Sequence, residues 1–234
     1  MPIRQELFAA YELPDGAASH VRMNFVSSAD GAVTLGGRSG ALGGGTDRAV
    51  MQVLRTMADV VLVGAGTVRA EGYGGLRVDA DDVRWRQARD LDDQPVIAVV
   101  SGRLQLDPGD AVFADAVRRP VIVTTDAAAA ARGRLFDSVA DVIACGDQEV
   151  DLAAMLDEFT RRGWTQVLCE GGPHLFGDLL DAGLVAEVCL TLAPRFVGGD
   201  AGRIAQGAGE SDRRFALAGV VTDDEGFVFL RYTR

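Results

Sequence analysis

Thr165-Gln166-Val167-Leu168-Cys169-Glu170-Gly171-Gly172-Pro173-His174-Leu175-Phe176-Gly177-Asp178-Leu179-Leu180 holds a short apolar run, one carboxylate, two glycines and a proline that opens an amphipathic helix. Glycines let a ligand approach the backbone, and the first turn of a helix carries unpaired N–H groups that attract an anion. Proline suits that turn because its missing N–H would have no partner there. The stretch therefore reads as strand, phosphate cradle and helix, with a carboxylate at the lip of the cradle.

Outward from this unit the same alternation recurs. Val21 to Ser27 reads as a strand, followed by the turn Ala29-Asp30-Gly31 and a short extended piece, Ala32 to Leu35. Gly36 to Gly45 reads as a loop, and Thr46-Asp47 as the N-cap of a helix whose Val50, Val53, Leu54 and Met57 repeat at helical spacing. Asp59 to Gly64 is a continuous apolar run, the mark of a strand buried on both faces. Thr67 to Glu71 fits a short helix, and the polar stretch Val78 to Gln94 a surface excursion. Val96 to Val100, Val121 to Thr124 and Val139 to Ala144 are further strands; Ala127 to Leu135 and Leu152 to Arg162 are helices, the latter ended by Gly163. Val185 to Ala193, Phe215 to Val221 and Phe227 to Tyr232 are strands with few helical signals between them, and Asp223 to Gly226 makes a hairpin turn. The expectation is an α/β fold with a mostly parallel central sheet flanked by helices and an antiparallel finish, in a single domain over 1–234 with 1–20 as an N-terminal extension.

Composition narrows the chemistry. The net charge of −11 argues against a nucleic-acid partner, which needs a basic footprint. No apolar run approaches the roughly 18 residues of a membrane span, and Met1 to Leu13 lacks a signal-peptide core, so a cytoplasmic protein is expected. All 23 cations are arginine. Without lysine there is no P-loop, no Schiff-base enzyme and no serine–lysine hydrolase. Two histidines, His20 and His174, exclude a multi-histidine metal site, and no metal is expected. Cys145, Cys169 and Cys189 form no CxxC pair and read as reduced, buried residues. Gly64-x-Gly66 lacks the third glycine of a dinucleotide fingerprint, since Arg69 stands there.

Three segments together resemble the reductase domain of riboflavin biosynthesis, which has a dihydrofolate-reductase-like fold. They are Val26-Ser27-Ser28-Ala29-Asp30-Gly31; Leu54-Arg55, Ala58-Asp59, Val63-Gly64 and Thr67 to Glu71; and Glu170-Gly171-Gly172-Pro173 with Leu175, Leu179, Leu184 to Glu187, Ala193-Pro194 and Gly198-Gly199. The resemblance implies an NADPH-dependent reductase that delivers hydride to the ribosyl C1′ of 5-amino-6-(5-phosphoribosylamino)uracil or a related pyrimidine, acting as a homodimer. Two alternatives share the fold: a dihydrofolate or pterin reductase, and an inactive NADPH-binding protein. The zinc deaminase motifs HxE and PCxxC of the larger relatives are absent from this sequence, so no deaminase domain is expected.

The resemblance also distributes roles. Val26, Ala41, Thr67, Glu71 and Ser101, with Gly171, Gly172, Pro173, His174, Leu175 and Phe176, fall where the family holds its cofactor. Ser39, Arg77 and Glu170 fall at the substrate, Arg77 as a partner for its phosphate. Asn24 stands where the family often has a lysine two residues before its first motif; it offers a hydrogen bond but no charge. From the residues themselves, Glu170 is either a substrate acceptor that supports proton delivery or a partner of the helix dipole. Thr67 and Glu71, one turn apart, share a helix face. Arg103, after Ser101-Gly102, is either a partner for a 2′-phosphate or a solvated surface arginine. Asp30 reads as a turn residue whose side chain bonds the following backbone N–H groups.

Overall fold

The computed structural model describes residues 2, 4–12, 19–207, 209–210 and 212–234. In chain order the elements are α1 (Arg4–Ala10), β1 (His20–Ser28), α2 (Gly45–Met57), β2 (Val60–Gly64), α3 (Ala65–Glu71), α4 (Ala80–Gln87), β3 (Val96–Val100), α5 (Ala111–Ala114) and β4 (Val121–Thr124). There follow α6 (Asp126–Arg132), continued by a 3-10 turn over Gly133–Phe136, then β5 (Asp141–Ala144), α7 (Leu152–Arg161), β6 (Gln166–Cys169), α8 (Pro173–Asp181), β7 (Glu187–Ala193), β8 (Ala216–Thr222) and β9 (Val228–Thr233).

The strands form one nine-stranded sheet in the order β5-β4-β3-β2-β6-β1-β7-β9-β8. Pairing is parallel from β5 through β7, while β9 runs antiparallel to both β7 and β8. The chain walks outward from β2 to β5, then returns to insert β6 between β2 and β1. Open α/β sheets bind ligands where strand order reverses in this way, beyond the carboxyl ends of the strands.

Alternating side chains build two cores. On β2, Val61 and Val63 join α2 (Val50, Val53, Leu54, Met57) on one face, while Val60 and Leu62 join α7 (Met155, Leu156, Phe159) and α8 (Leu175, Phe176, Leu179) on the other. The three valines and the leucine of β2 are fully buried, which is why this strand reads as an unbroken apolar run. Asp151 caps α7 by accepting from the N–H groups of Ala153 and Ala154, each at 3.0 Å, and Gly163 at φ +79° follows its end.

Three local expectations are corrected. Gly44 caps α2 with no side-chain bond, so Thr46 and Asp47 lie inside the first turn. Within the extended piece Ala32 to Leu35, only Leu35 takes part in a bridge, to Arg38. The stretch 78–94 contains α4, which buries Arg86 completely. Its guanidinium donates to the carbonyls of Thr56, Ala58 and Asp92 and so holds the end of α2. Asp30 accepts from the N–H groups of Val197 and Gly198 and from the Ser28 hydroxyl, rather than from the N–H groups that follow it in its turn. The Ser28 hydroxyl and these N–H groups hold its carboxyl at about 2, and they tie the end of β1 to the loop after β7. Of the segment 1–20, α1 docks Leu7 and Tyr11 into the core; Met1, Ile3 and 13–18 lie outside the described residues.

At the amino ends of β1 and β7 sits a closed ionic cluster. Glu187, with no exposed surface, accepts from Arg22 Nη2 at 3.1 Å and from Arg231 Nε and Nη2 at 3.0 and 3.1 Å. The His20 ring lies 3.1 Å away, and Arg22 Nε makes an off-axis ion-pair contact at 2.7 Å. The same arginines donate to the carbonyls of Ala10, Tyr11 and Glu12 and so fasten the end of α1.

Candidate active site

A cleft of about 1290 Å³ opens beyond the carboxyl ends of β1, β2, β3 and β6, at the point where strand order reverses. It exceeds the volume of an ordinary small-molecule pocket, roughly 300–1,000 Å³, and so has space for a dinucleotide and a second ligand together.

Its floor is set by backbone. Gly64 at the end of β2 donates its N–H to the Gly171 carbonyl at 2.7 Å, which draws β2 and the cradle after β6 together. The Gly171–Gly172 peptide is cis. A Cβ on Gly172 would lie 2.6 Å from Thr67 Oγ1, so any larger residue collides with α3. Gly172 is also the N-cap of α8 and, as a glycine, supplies no side-chain cap to the first amides of the helix. Gly66 and Gly102 line the same wall with open space where a Cβ would be. Bare amides, the Thr67 and Ser101 hydroxyls and flat glycine surfaces suit the pyrophosphate and ribose of a nucleotide cofactor.

Most of the expected site residues meet here. Thr67, Glu71, Ser101 and Arg103 line one wall, and Gly172, Pro173, His174 and Leu175 another; Asn24, Val26, Ser39 and Glu170 line the other end. Four do not. Ala41 and Arg77 are exposed outside the cleft, because the loops carrying them turn outward. Gly171 is turned away by its bond to Gly64, and Phe176 faces the core, stacked on Phe25 with centroids 5.2 Å apart. Glu71 is already engaged: it accepts from the Ser39 N–H at 2.9 Å and the Ser39 hydroxyl at 2.8 Å, pinning the glycine loop to α3.

Glu170 is engaged more firmly. Arg55 from α2 grips it bidentately, Nε to Oε1 and Nη2 to Oε2 both at 2.6 Å, and the Tyr73 hydroxyl donates to Oε2 at 2.5 Å. Burial works against the charge on Arg55, yet Glu170 outweighs it and the guanidinium is held more firmly protonated than usual. Burial, then the Glu170 carboxylate, push the Tyr73 hydroxyl well above its ordinary value, so it remains a donor. Tyr73 and Arg55 had no assigned part in the sequence reading. Arg55 carried a signal, its place in the Leu54-Arg55 motif, whereas Tyr73 sits in a glycine-rich turn with no periodicity. Met23 pairs with Cys169, so Asn24 and Glu170 are each the next residue along on neighbouring strands.

The sequence matches the family model described as RibD C-terminal domain over residues 19–229. It is 30% identical over 201 residues, 85% of this chain and 88% of the relative, to a 2,5-diamino-6-ribosylamino-4(3H)-pyrimidinone 5′-phosphate reductase of Methanothermobacter thermautotrophicus. The reductase of the same name from Archaeoglobus fulgidus is 30% identical over 154 residues, covering 65% of this chain and 69% of that protein. A pyrimidine reductase-like protein of Corynebacterium diphtheriae superposes with a TM-score of 0.86 at 25% identity, covering 97% of each chain. A match spanning all nine strands but the last residues of β9 leaves one conclusion: the chain belongs to the RibD C-terminal domain family.

Proposed function

We propose that the protein is an NADPH-dependent reductase of the riboflavin-pathway type, which reduces the ribosyl C1′ of a phosphorylated aminopyrimidine to the ribityl form. The reading is carried by one observation: a single cleft joins the Gly172–Thr67 cradle to the Asn24–Glu170 row. The relatives named as pyrimidinone phosphate reductases support it, and they lend nothing to the dihydrofolate or inactive alternatives.

A bound nicotinamide nucleotide supplies the hydride. The chain's own work is positioning and exclusion of water. The amides at the start of α8 and the Thr67 hydroxyl hold the pyrophosphate; Ser101, with Arg69 and Arg103 on the same wall, favours a 2′-phosphate and hence NADPH. At the other end Asn24 hydrogen-bonds the acceptor and Glu170 serves as a fixed acceptor rather than a free acid, since Arg55 balances its charge. Arg77 lies outside the cleft, so the substrate phosphate falls to Arg48, which lines it. Leu217 and Val220 on the edge strand β8, and the exposed Phe196, offer the apolar surface for a homodimer. Among the described residues no helix is long and apolar enough to cross a membrane, and three free cysteines suit the reducing cytoplasm.

The test is NADPH consumption with the phosphorylated aminopyrimidine and identification of a ribityl product. A well-folded sample that neither oxidises NADPH with it nor binds NADPH would end this reading; turnover of dihydrofolate alone would replace it.

A further inference from the structure

The loop that joins β1 to α2 is fastened at both ends on one side of the sheet. It leaves β1 at Ser28, whose N–H donates to the Ala32 carbonyl at 2.9 Å and whose hydroxyl oxygen accepts from the Ala32 N–H at 2.8 Å. It returns at Gly44, where a Cβ would fall 2.8 Å from the ring of Phe227, the residue before β9. Between these ends it reaches the other side. Ser39 donates its N–H and its hydroxyl to Glu71 Oε1, at 2.9 and 2.8 Å, and Glu71 ends α3, which follows β2. β6 stands between β1 and β2, so the two bonds carry the loop across the carboxyl end of β6, where Glu170 stands. Leu42 of the loop and Val68 of α3 pack into the core of α2, and Arg55 of α2 grips Glu170, so loop, α3 and carboxylate share one face of the sheet.

Little else holds the middle of this loop. Gly36 and Gly37 take φ of +59° and +82°, and Leu35 bridges to Arg38 within the loop itself. Among the described residues, Glu71 is the one group outside 35–42 that hydrogen-bonds this stretch. Gly37, Ser39 and Gly40 line the cleft, as Glu71 does. The turn after α3 braces two things at once: Glu71 accepts from Ser39, Gly72 at φ +68° redirects the chain, and Tyr73 donates to Glu170. Thr67 lies one turn earlier, about 6 Å back along the helix, beside Gly172 of the cradle. The helix is thus divided, with its first turn at the cradle and its last at the loop.

We infer that Glu71 is a positioning residue for the pyrimidine: acting through Ser39, it holds 36–43 across the Asn24–Glu170 row, and it does not touch the cofactor. The inference rests on the reductase reading, and it moves Glu71 from the cofactor end, where the resemblance puts it, to the substrate end. A loop ordered in advance loses less freedom when a ring binds beneath it, so the latch acts on affinity for the pyrimidine. Unlatched, the glycines let the loop sample open forms, and each binding event must close it again.

The deciding variant is Glu71→Ala, measured with NADPH and 2,5-diamino-6-ribosylamino-4(3H)-pyrimidinone 5′-phosphate. Loss of two bonds to a charged acceptor should raise KM for the pyrimidine about tenfold or more. NADPH affinity, read by fluorescence quenching, should stay as in the wild type. Glu71→Gln keeps an acceptor oxygen for Ser39 and should bring KM back to within about threefold of the wild type. Trypsin reads the latch without turnover. The chain has no lysine, Arg38 is exposed, and the Arg38–Ser39 peptide carries the N–H that Glu71 holds. Cleavage there requires local opening, so Glu71→Ala should be cut about tenfold faster than the wild type, and the pyrimidine should protect the wild type more than the variant. Weaker NADPH binding with an unchanged KM, a Glu71→Gln that fails as Glu71→Ala does, or unchanged cleavage would each overturn the assignment. Should Glu71→Ala fail to fold, Ser39→Ala is read by the same cleavage: faster cutting supports the latch, and an unchanged rate defeats it. A wild type that turns over no pyrimidine, yet is protected from trypsin by it only while Glu71 is present, defeats the reductase reading and leaves the role of Glu71 standing.

Discussion

Two arginine–glutamate clusters sit at opposite ends of the central strands, and they use the same chemistry for different ends. At the amino ends, Glu187 is ringed by Arg22, Arg231 and His20 and closed over by α1, and the surplus donors of those arginines go to the carbonyls of Ala10, Tyr11 and Glu12. At the carboxyl ends, Glu170 is gripped by Arg55 and Tyr73 but lies on the wall of a cleft. A buried ion pair is poor evidence of net stabilisation, yet breaking one leaves an uncompensated charge. The difference is access. Glu187 itself has no exposed surface and its cluster serves the fold; the second cluster holds a carboxylate rigid on the wall of the cleft. An arginine–glutamate pair therefore signals a site only when a cleft reaches it.

The comparison breaks most visibly at Glu187. Glu187→Gln strands two guanidiniums in a closed pocket, so urea unfolding should show a loss of about 3–5 kcal/mol. NADPH affinity of the folded fraction should be unchanged, because no part of this cluster lines the cleft. A comparable loss of affinity would join the two ends of the molecule that are here kept apart.

Acid gives the second measure. Burial alone would raise the Glu187 carboxyl, but the His20 contact and the arginines outweigh it and hold it at about 2, against an ordinary 4.5. A depressed folded value means that the stabilisation is complete above pH 4.5 and disappears as pH falls through 2. The shift corresponds to roughly 3 kcal/mol. The stability gap between wild type and Glu187→Gln, followed by urea titration, should therefore narrow by about that amount between those limits, and a gap that stays constant would show that the pair does not carry it.

At the other end the readout changes from stability to rate. Glu170→Gln keeps the shape but turns an amide N–H₂ toward Arg55 or Tyr73, in place of an acceptor. Because Glu170 itself lines the cleft, the cost in stability should be about 1–2 kcal/mol, less than at Glu187. The cost in kcat/KM should be about a hundredfold, some 2.7 kcal/mol, if the carboxylate positions the acceptor. Loss of stability with unchanged turnover would make Glu170 a second Glu187.

How much of this was legible depends on range. The cradle reads directly because its signals are local: an apolar run, Gly171-Gly172 and Pro173 at the helix start, all within a few residues. The buried strand Val60–Gly64 reads for the same reason. The Thr46-Asp47 cap did not hold because Gly44 already supplies extended backbone, which frees Asp47 to turn toward β7. Arg86 was assigned to a surface excursion by its polar neighbours, and only the tertiary fold reveals the carbonyls of Thr56 and Ala58 that it serves. Glu170 reads as a carboxylate at the lip of the cradle but not as a paired one, since Arg55 lies 115 positions away in the chain. Ala41 and Arg77 lie outside the cleft, and the direction of the loops that carry them leaves no periodic trace in the sequence.

Tyr73 gives the smallest effect and the finest test. Tyr73→Phe removes one donor from Glu170 Oε2 and leaves both Arg55 bonds and the ring packing in place. One hydrogen bond to a charged acceptor facing a cleft has a modest net worth, and water from the cleft can replace it. Stability should fall by about 1 kcal/mol or less, and kcat/KM by about tenfold at most. The split matters more than the size. If Tyr73 only steadies Glu170, KM for the pyrimidine should rise while the pH profile of kcat keeps its shape. A loss beyond a hundredfold confined to kcat, with a displaced pH profile, would move Tyr73 from steadying the carboxylate to handling a proton at the reacting atoms. Arg55 and Glu170 would then form the frame for a donor, and the two clusters would differ in chemistry as well as in access.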